Sequence, residues 1–278
     1  MKNILSPLKK TVLFAAKHRR RLLCVLALAL IILQLVGCNP VITRPDDWTT
    51  TTKNEPDVPV ITPPIDTTPK KRVALTFDDG PQHYAERTKA IVDEMDKYGF
   101  HCTFFVLGNR IRGGDALAYA VSHGNDIGIH SFDHPNFNEI ADTAYQNQLS
   151  HTVDRIHEQV PDYEVKLLRP PYGNISDERL AACPYAVINW SVDSLDWENT
   201  YYSGISDEEA DRRVNTIVDT VMSSVSDGDI ILMHDIYEST FDATVILLQR
   251  LHEEGYEVVS VTELLGDRLQ AGRMYYNG

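Results

Sequence analysis

Two short motifs place metal-binding and acid–base side chains directly after predicted β-strands. The motif TFDDGP carries the adjacent carboxylates Asp78 and Asp79, and the motif HSFDHP carries His130 and His134, four residues apart. Adjacent carboxylates repel each other unless a cation holds them, and two nearby imidazoles are able to share one ion. Two histidines and one aspartate leave a coordination position open, which is the pattern of a catalytic rather than a structural zinc site.

Three further strand ends carry groups suited to proton transfer. Arg169 opens the rigid turn RPPYG, and we expect it to pair with Asp78 and keep that carboxylate ionised. Asp193 and His234 follow two later strands. We expect them to form a couple in which the carboxylate fixes the tautomer of the imidazole and supports its protonated form.

Each of these features has a simpler explanation when it is taken alone. DDGP is an ordinary polar turn, a pair of histidines four apart arises easily by chance among ten, and a histidine at a strand end is usually structural. Carboxylate, imidazole and guanidinium groups at five separate strand ends are harder to explain by stability. Together they indicate a metal-dependent hydrolase.

The chain from Arg72 onwards alternates predicted strands and helices. The strands are RVALTF, CTFFVLG, DIGI, KLL, AVINWSV, IILM and EVVSV. Helices are predicted over 85–99, closed by Gly99, over 139–160, and from a capping box of Ser206 and Glu209. This alternation predicts an α/β fold with a parallel sheet, in which the carboxyl ends of the strands lie at one face. Seven units fit an irregular barrel, and an open doubly wound sheet is the alternative. No GxGxxG follows the first strand, which argues against a dinucleotide site.

The first 70 residues differ in composition from the rest. Residues 1–37 hold seven Lys and Arg, no Asp or Glu, and a 16-residue apolar run, which together predict an export signal. The run is shorter than the ~20 residues of a spanning helix. LVGC at 35–38 resembles a bacterial lipobox, in which Cys38 becomes lipid-modified; an uncleaved membrane anchor is the alternative. Residues 38–70 are rich in Pro and Thr and predict a disordered tether. The catalytic domain is then 71–278.

The charge of the remaining chain argues against a nucleic-acid partner. Without residues 1–37 it carries 19 Lys and Arg against 40 Asp and Glu, a formal charge of -21, which would repel a polyphosphate backbone. We expect a monomer. Cys102 and Cys183 are expected to be buried small hydrophobic residues, with a disulfide as the alternative.

Five motifs in order, TFDDGP, HSFDHP, RPPYG, VDSLDW and ILMHD, resemble those of the NodB-type polysaccharide deacetylases, carbohydrate esterase family four. The resemblance covers about residues 72–265. It implies a distorted (β/α)7 TIM-like barrel, the NodB homology domain. It also implies a hydrolase that removes N-acetyl groups from GlcNAc-type residues of an extracellular polysaccharide and releases acetate.

The same resemblance implies a role for each motif residue. Asp78 would be the general base, and Asp79, His130 and His134 would bind a divalent metal, usually Zn²⁺, with Co²⁺ or Mn²⁺ as alternatives. The further catalytic residues would be Arg169, which orients Asp78, and Asp193, which tunes the general acid His234. The substrate-binding residues would be Pro170, Tyr172, whose backbone N–H helps to hold the oxyanion, and Trp197 and Leu232, which line the acetyl pocket.

Three alternatives remain open at this point. The same site could remove O-acetyl groups from xylan or another glycan. A non-catalytic glycan-binding lipoprotein would be expected to have lost a metal ligand or the base, and this chain keeps all four residues. A solute-binding lipoprotein of a transporter would share the leader and the tether but would not need the paired aspartates and histidines. A lipid anchor on the outer face of a bacterial membrane favours peptidoglycan as the substrate.

Overall fold

One sheet of nine β-strands organises the part of the chain that the structure describes. This computed structural model describes residues 70–81, 86–201 and 204–278. The predicted signal, lipidation site Cys38 and tether lie outside these residues. The strands are β1 (Lys71–Asp78), β2 (Thr103–Leu107), β3 (Asp126–Ser131), β4 (Leu167–Leu168), β5 (Ala186–Ile188), β6 (Val192–Asp193), β7 (Ile230–His234), β8 (Tyr256–Val258) and β9 (Met274–Tyr275).

Helices connect these strands and pack against them. They are α1 (Glu86–Asp96), α2 (Ala116–Ser122), α3 (Asp142–Gln159), α4 (Asp177–Ala181), α5 (Asp207–Met222), α6 (Glu238–Glu253) and α7 (Val261–Leu265). Short 3-10 helices lie at Gly108–Arg110, Phe137–Glu139, Pro171–Gly173 and Gly266–Arg268. Within the described ranges, no helix is long and apolar enough to cross a membrane.

The sheet curls into a distorted barrel. Its strand order is β6-β7-β1-β2-β3-β4-β5-β9, and β8 pairs with the first residues of β1. All these strand pairs are parallel. β6 lies at one end of this order and β5 is second from the other end, yet only residues 189–191 separate them in the chain. Four peptide steps span at most about 14 Å, so the two sides of the sheet must approach each other. The predicted parallel barrel is confirmed.

The last residues of the chain link the two sides of the sheet where they approach each other. β9 pairs with β5, and Asn277 then forms an antiparallel bridge with Asp229, just before β7. The backbone N–H of Gly278 donates to the carbonyl of Gly228 at 2.6 Å. The sequence did not predict β9, because two paired residues give no alternating pattern.

The prediction of one strand over AVINWSV was wrong. The segment divides after Ile188 into β5 and β6, which pair with different neighbours. The reason lies in the barrel interior, where Arg169 donates from Nε to the carbonyl of Ile188 and from Nη2 to that of Asn189. These two carbonyls therefore bind a buried guanidinium where a longer strand would continue its ladder.

The predicted helix ends are correct at two of three places. Gly99 closes α1 with a φ of 65°, and the Ser206 hydroxyl accepts the N–H of Glu209 at the start of α5. The predicted capping box at Ser206 and Glu209 is thus only half correct, because the Glu209 carboxylate pairs with Arg212 and Arg213. Both hydrogen bonds of a capping box are found at Ser260 and Glu263. The long helix begins at Asp142 rather than at 139, because Phe137–Glu139 forms a 3-10 turn.

Alternation along β1 decides which side chains enter the barrel. Val73, Leu75 and Phe77 pack in the core cluster shared with the helices. Ala74 belongs to a second, interior cluster, and Asp78 lies an even number of residues further on, so it faces the barrel interior at the carboxyl end of the strand. Cys102 and Cys183 are both buried and free, as expected.

Candidate active site

The buried ion pair of Asp78 and Arg169 occupies the mouth of the barrel. Nη1 of Arg169 lies 2.8 Å from Oδ1 of Asp78 and 2.7 Å from the hydroxyl of Thr76. Asp78 is 2% exposed and Arg169 is fully buried. Burial lowers the pKa of Arg169, and the charge of Asp78 opposes that change. The pairing expected from the sequence is thus present, and the guanidinium holds one carboxylate oxygen in place.

Asp79, His130 and His134 form a cluster that fits a divalent cation. Oδ1 of Asp79 lies 3.7 Å from Nε2 of His130 and 3.8 Å from Nε2 of His134. One candidate ligand atom from each residue lies within 4.8 Å of the others. Oδ1 of Asp79 is buried and has no hydrogen-bond partner, which is a costly arrangement without a cation.

The surroundings of both histidines suit metal binding. Nδ1 of His130 lies 2.8 Å from the carbonyl oxygen of Arg169. Because a carbonyl only accepts, Nδ1 carries a hydrogen, and the lone pair of the neutral ring is then on Nε2, the atom nearer to Asp79. Burial, reinforced by the nearby charge of His130, lowers the pKa of His134. Two imidazoles and one carboxylate are a donor set that zinc and related divalent ions accept.

Backbone strain is concentrated in the loops around this cluster. Left-handed backbone is uncommon in residues with a side chain and persists where the surroundings impose it, frequently at functional sites. Within residues 70–81, 86–201 and 204–278, every non-glycine residue with positive φ comes from TFDDGP, HSFDHP, RPPYG or VDSLDW. These residues are Asp79 (φ 74°), Ser131 (130°), His134 (68°), Tyr172 (59°) and Leu195 (53°).

His234 pairs with Asp196, and the predicted pairing with Asp193 was wrong. Nδ1 of His234 lies 2.8 Å from Oδ1 of Asp196. Oδ2 of Asp196 accepts the backbone N–H of His234 at 2.7 Å and the hydroxyl of Thr240 at 2.6 Å. Asp193 instead accepts the backbone N–H of Leu195 at 2.9 Å. It therefore stabilises the turn that brings the second aspartate of VDSLDW to the histidine.

This environment sets the protonation of His234. Burial disfavours the charged imidazolium, but the hydrogen bond and charge of Asp196 outweigh it, with smaller help from Asp78 and Asp79. The result raises the pKa of His234 to about 9. The imidazole therefore carries a proton at neutral pH, as a general acid requires.

A pocket of about 490 Å³ opens over these groups. Tyr172 and Trp197 are 62% and 47% exposed, whereas Leu232 is 4% exposed at its base. The ring of Tyr172 stands edge-on to His134, with the ring centroids 4.7 Å apart. The residues that line the pocket are Asp78, Asp79, His130, His134, Tyr172, Trp190, Asp193, Trp197, Leu232, His234 and Tyr237.

Three pocket or site residues were missed and one was misplaced. Asp196 was missed because Asp193 directly follows the predicted strand. Trp197, which was expected to line the pocket, could have indicated that its neighbour Asp196 also lies at the site. Trp190 was assigned to the interior of a strand, and Tyr237 has no distinguishing motif. Pro170, expected at the substrate, is buried and does not line the pocket.

Comparison with known proteins gives consistent matches. A family model for polysaccharide deacetylases matches residues 65–187. Peptidoglycan-N-acetylmuramic acid deacetylase PdaC of Bacillus subtilis is 38% identical over 196 residues, which are 70% of this chain and 39% of PdaC. A peptidoglycan-N-acetylglucosamine deacetylase of Bacillus cereus is 30% identical over 203 residues, which are 70% of this chain and 68% of that protein. The chain thus spans about two fifths of the length of PdaC.

Solved structures agree with the fold. The structure of PdaC superimposes with a TM-score of 0.62 at 38% identity, covering 70% of this chain and 90% of that one. A family 4 acetyl xylan esterase from Clostridium thermocellum, solved with a cobalt ion, gives 0.64 at 27% identity, covering 74% and 98%. Both matches support the distorted barrel as the fold.

Proposed function

Because the chain belongs to the polysaccharide deacetylase family, we propose that it removes N-acetyl groups from peptidoglycan by metal-dependent hydrolysis and releases acetate. The observation that carries this proposal is the geometry of one pocket. The candidate metal ligands line the same pocket as a carboxylate held by Arg169 and an imidazole held by Asp196. That arrangement supplies a base and an acid to the same substrate bond.

The metal would be held by Asp79, His130 and His134. A divalent ion there, most simply Zn²⁺, with Co²⁺ or Mn²⁺ as alternatives, would polarise the acetyl carbonyl and acidify a water molecule. Asp78 takes the proton from the attacking water as general base. Arg169 orients Asp78, since it binds Oδ1 and leaves Oδ2 free of that contact.

Two further groups act on the tetrahedral intermediate. The backbone N–H of Tyr172 stabilises the developing oxyanion, a kind of contact that often contributes a large share of catalysis. His234 donates its proton to the departing nitrogen as general acid, and Asp196 stabilises the imidazolium until that step. Trp197 and Leu232 enclose the acetyl methyl group. These assignments account for the pocket residues that the motifs predicted, except Asp193, which shapes the turn beside them.

The choice of peptidoglycan rests on the named relatives and on the expected location. PdaC and the Bacillus cereus protein are both described as acting on peptidoglycan, one on N-acetylmuramic acid and one on N-acetylglucosamine. We propose that Cys38 carries a lipid and that residues 38–70 tether a monomeric catalytic domain to the outer face of the cell membrane. Peptidoglycan is the N-acetylated polymer nearest to that position.

Removal of O-acetyl groups from xylan is the second candidate, because the Clostridium thermocellum esterase has the same fold. A test of both is acetate release from muropeptides, N-acetylated chitooligosaccharides and acetylxylan, with and without a chelator. The proposal expects release from the N-acetylated substrates, its loss with chelator and its return with Zn²⁺. Release from acetylxylan alone would favour the esterase, and release that no chelator affects would rule out the metal-dependent account.

A further inference from the structure

Asn189 lies directly under the turn that carries Tyr172. It is 6% exposed and is the first residue after β5. Its side-chain Nδ2 donates to the carbonyl of Gly173 at 3.4 Å, a long hydrogen bond. A Cβ atom built on Gly173 would lie 2.9 Å from Oδ1 of Asn189 and 3.3 Å from the ring of Trp190. The glycine backbone therefore rests against the amide with no space for a side chain.

The main chain of Asn189 is fixed from both sides. Its N–H donates to the carbonyl of Tyr275 at 2.7 Å, and its carbonyl accepts from Nη2 of Arg169 at 3.0 Å. The same guanidinium binds Asp78 through Nη1. One rigid group thus connects the proposed base to the residue beneath the turn.

The side chain of Asn189 has a feature that packing alone does not explain. Its Oδ1 is buried and has no hydrogen-bond partner. Burying an unpaired amide oxygen costs stability, and a leucine of similar size would fill the space without that cost. Departures of this kind from the rules of stability are expected at functional positions.

The turn above it is also held in an uncommon conformation. Tyr172 has a φ of 59° and Gly173 a φ of 67°. The turn closes on itself through the N–H of Gly173, which donates to the carbonyl of Pro170 at 2.9 Å. Its orientation relative to the barrel must come from contacts with the residues below, and Asn189 and Trp190 supply them.

We propose that Asn189 is a positioning residue, which sets the turn 170–174 so that the backbone N–H of Tyr172 meets the oxyanion. This rests on the proposed function for the role of Tyr172. Asn189 itself does not line the pocket, so it acts through the turn and not by contact with the substrate. Loss of its amide shifts the N–H and lowers the rate of the chemical step, while substrate binding by the exposed aromatic rings changes little.

The test compares Asn189→Leu with Asn125→Leu. Asn125 is also buried, at 3% exposure, and its amide bonds to Ala120 and Cys102, so its loss reports on folding alone. Acetate release gives kcat and KM, and hydrogen exchange of peptides that cover 170–174 reports on the turn. We expect Asn189→Leu to lose about tenfold or more in kcat, toward the 10²–10³-fold loss of an oxyanion donor, with little change in KM and faster exchange at 170–174.

Asn125→Leu should lower the melting temperature while leaving the kcat of the folded protein and the exchange at 170–174 unchanged. If Asn189→Leu fails to fold, Asn189→Ala removes the same amide without adding bulk and should give the same loss of kcat. Unchanged kcat together with unchanged exchange at 170–174 would overturn the proposal. Should the wild-type protein release no acetate from any glycan, the proposed function fails separately, and the exchange data alone decide whether Asn189 positions the turn.

Discussion

His234 and Asp196 make two hydrogen bonds to each other, one from the imidazole Nδ1 at 2.8 Å and one from the backbone N–H at 2.7 Å. The carboxylate therefore fixes the ring and the main chain of the histidine together. The couple keeps the pKa of His234 at about 9 although the ring is mostly withdrawn from water. The proposed acid is thus supplied with its proton over the whole neutral range.

Asp196→Asn should move the alkaline limb of the kcat/KM profile to lower pH. A histidine whose pKa is raised is protonated below that pKa and loses its proton as the pH rises through it. Removing a charge in direct contact shifts a pKa by about 1–3 units, so the limb should fall from near pH 9. Asp193→Asn is the matched control, because Asn also accepts the N–H of Leu195 and the limb should stay in place. An equal shift of the alkaline limb in both variants would contradict the assignment of Asp196, and not Asp193, as the partner of His234.

Substitutions of Asp78 and Asp79 should have different effects, the first on the catalytic rate and the second on metal binding. Asp78→Asn should lower kcat by about 10²–10⁴-fold, the usual contribution of a general base, while Zn²⁺ binding by calorimetry stays intact. Asp79→Asn should weaken Zn²⁺ binding itself, because its Oδ1 faces both imidazoles. Loss of metal binding in Asp78→Asn with retention in Asp79→Asn would reverse the assignment.

The ion pair of Asp78 and Arg169 should also contribute to the stability of the fold. Arg169→Met leaves Asp78 buried and unpaired, so the free energy of unfolding should fall by about 3–5 kcal/mol. The double variant Arg169→Met with Asp78→Asn carries neither charge of this ion pair and should be more stable than Arg169→Met alone. Chemical denaturation of the wild type, both single variants and the double variant measures this difference. Additive losses in the double variant would mean that the ion pair is not coupled.

Much of the fold followed from the sequence because long elements carry a repeating pattern. The strand over 71–78 and the helices closed by Gly99 and opened by Ser206 have periodicity or caps that local chemistry dictates. β5, β6 and β9 have two or three residues each, which is too short for a pattern. Their ends are set by tertiary contacts, above all those of Arg169.

Some residues of the site were also predictable from the sequence, and others were not. Asp79, His130 and His134 were predicted because strand ends in parallel folds converge whatever the intervening sequence. The partner of His234 depends on how the turn over 193–196 bends, and Leu195 has a φ of 53° within it. The sequence VDSLDW does not reveal that conformation. Closeness to the strand end therefore pointed to Asp193 and not to Asp196 as the partner of His234. Asn189 was not predicted for a related reason, since its proposed role depends on its contact with the turn 170–174 in the folded protein.

Anomalous diffraction at the zinc edge, from crystals grown with Zn²⁺, shows directly whether Asp79, His130 and His134 bind one metal ion. We expect one strong peak within about 2.0–2.2 Å of Oδ1 of Asp79 and Nε2 of His130 and His134, and its loss in Asp79→Asn crystals. A peak bound by other residues, or none between these three side chains at saturating Zn²⁺, would contradict it.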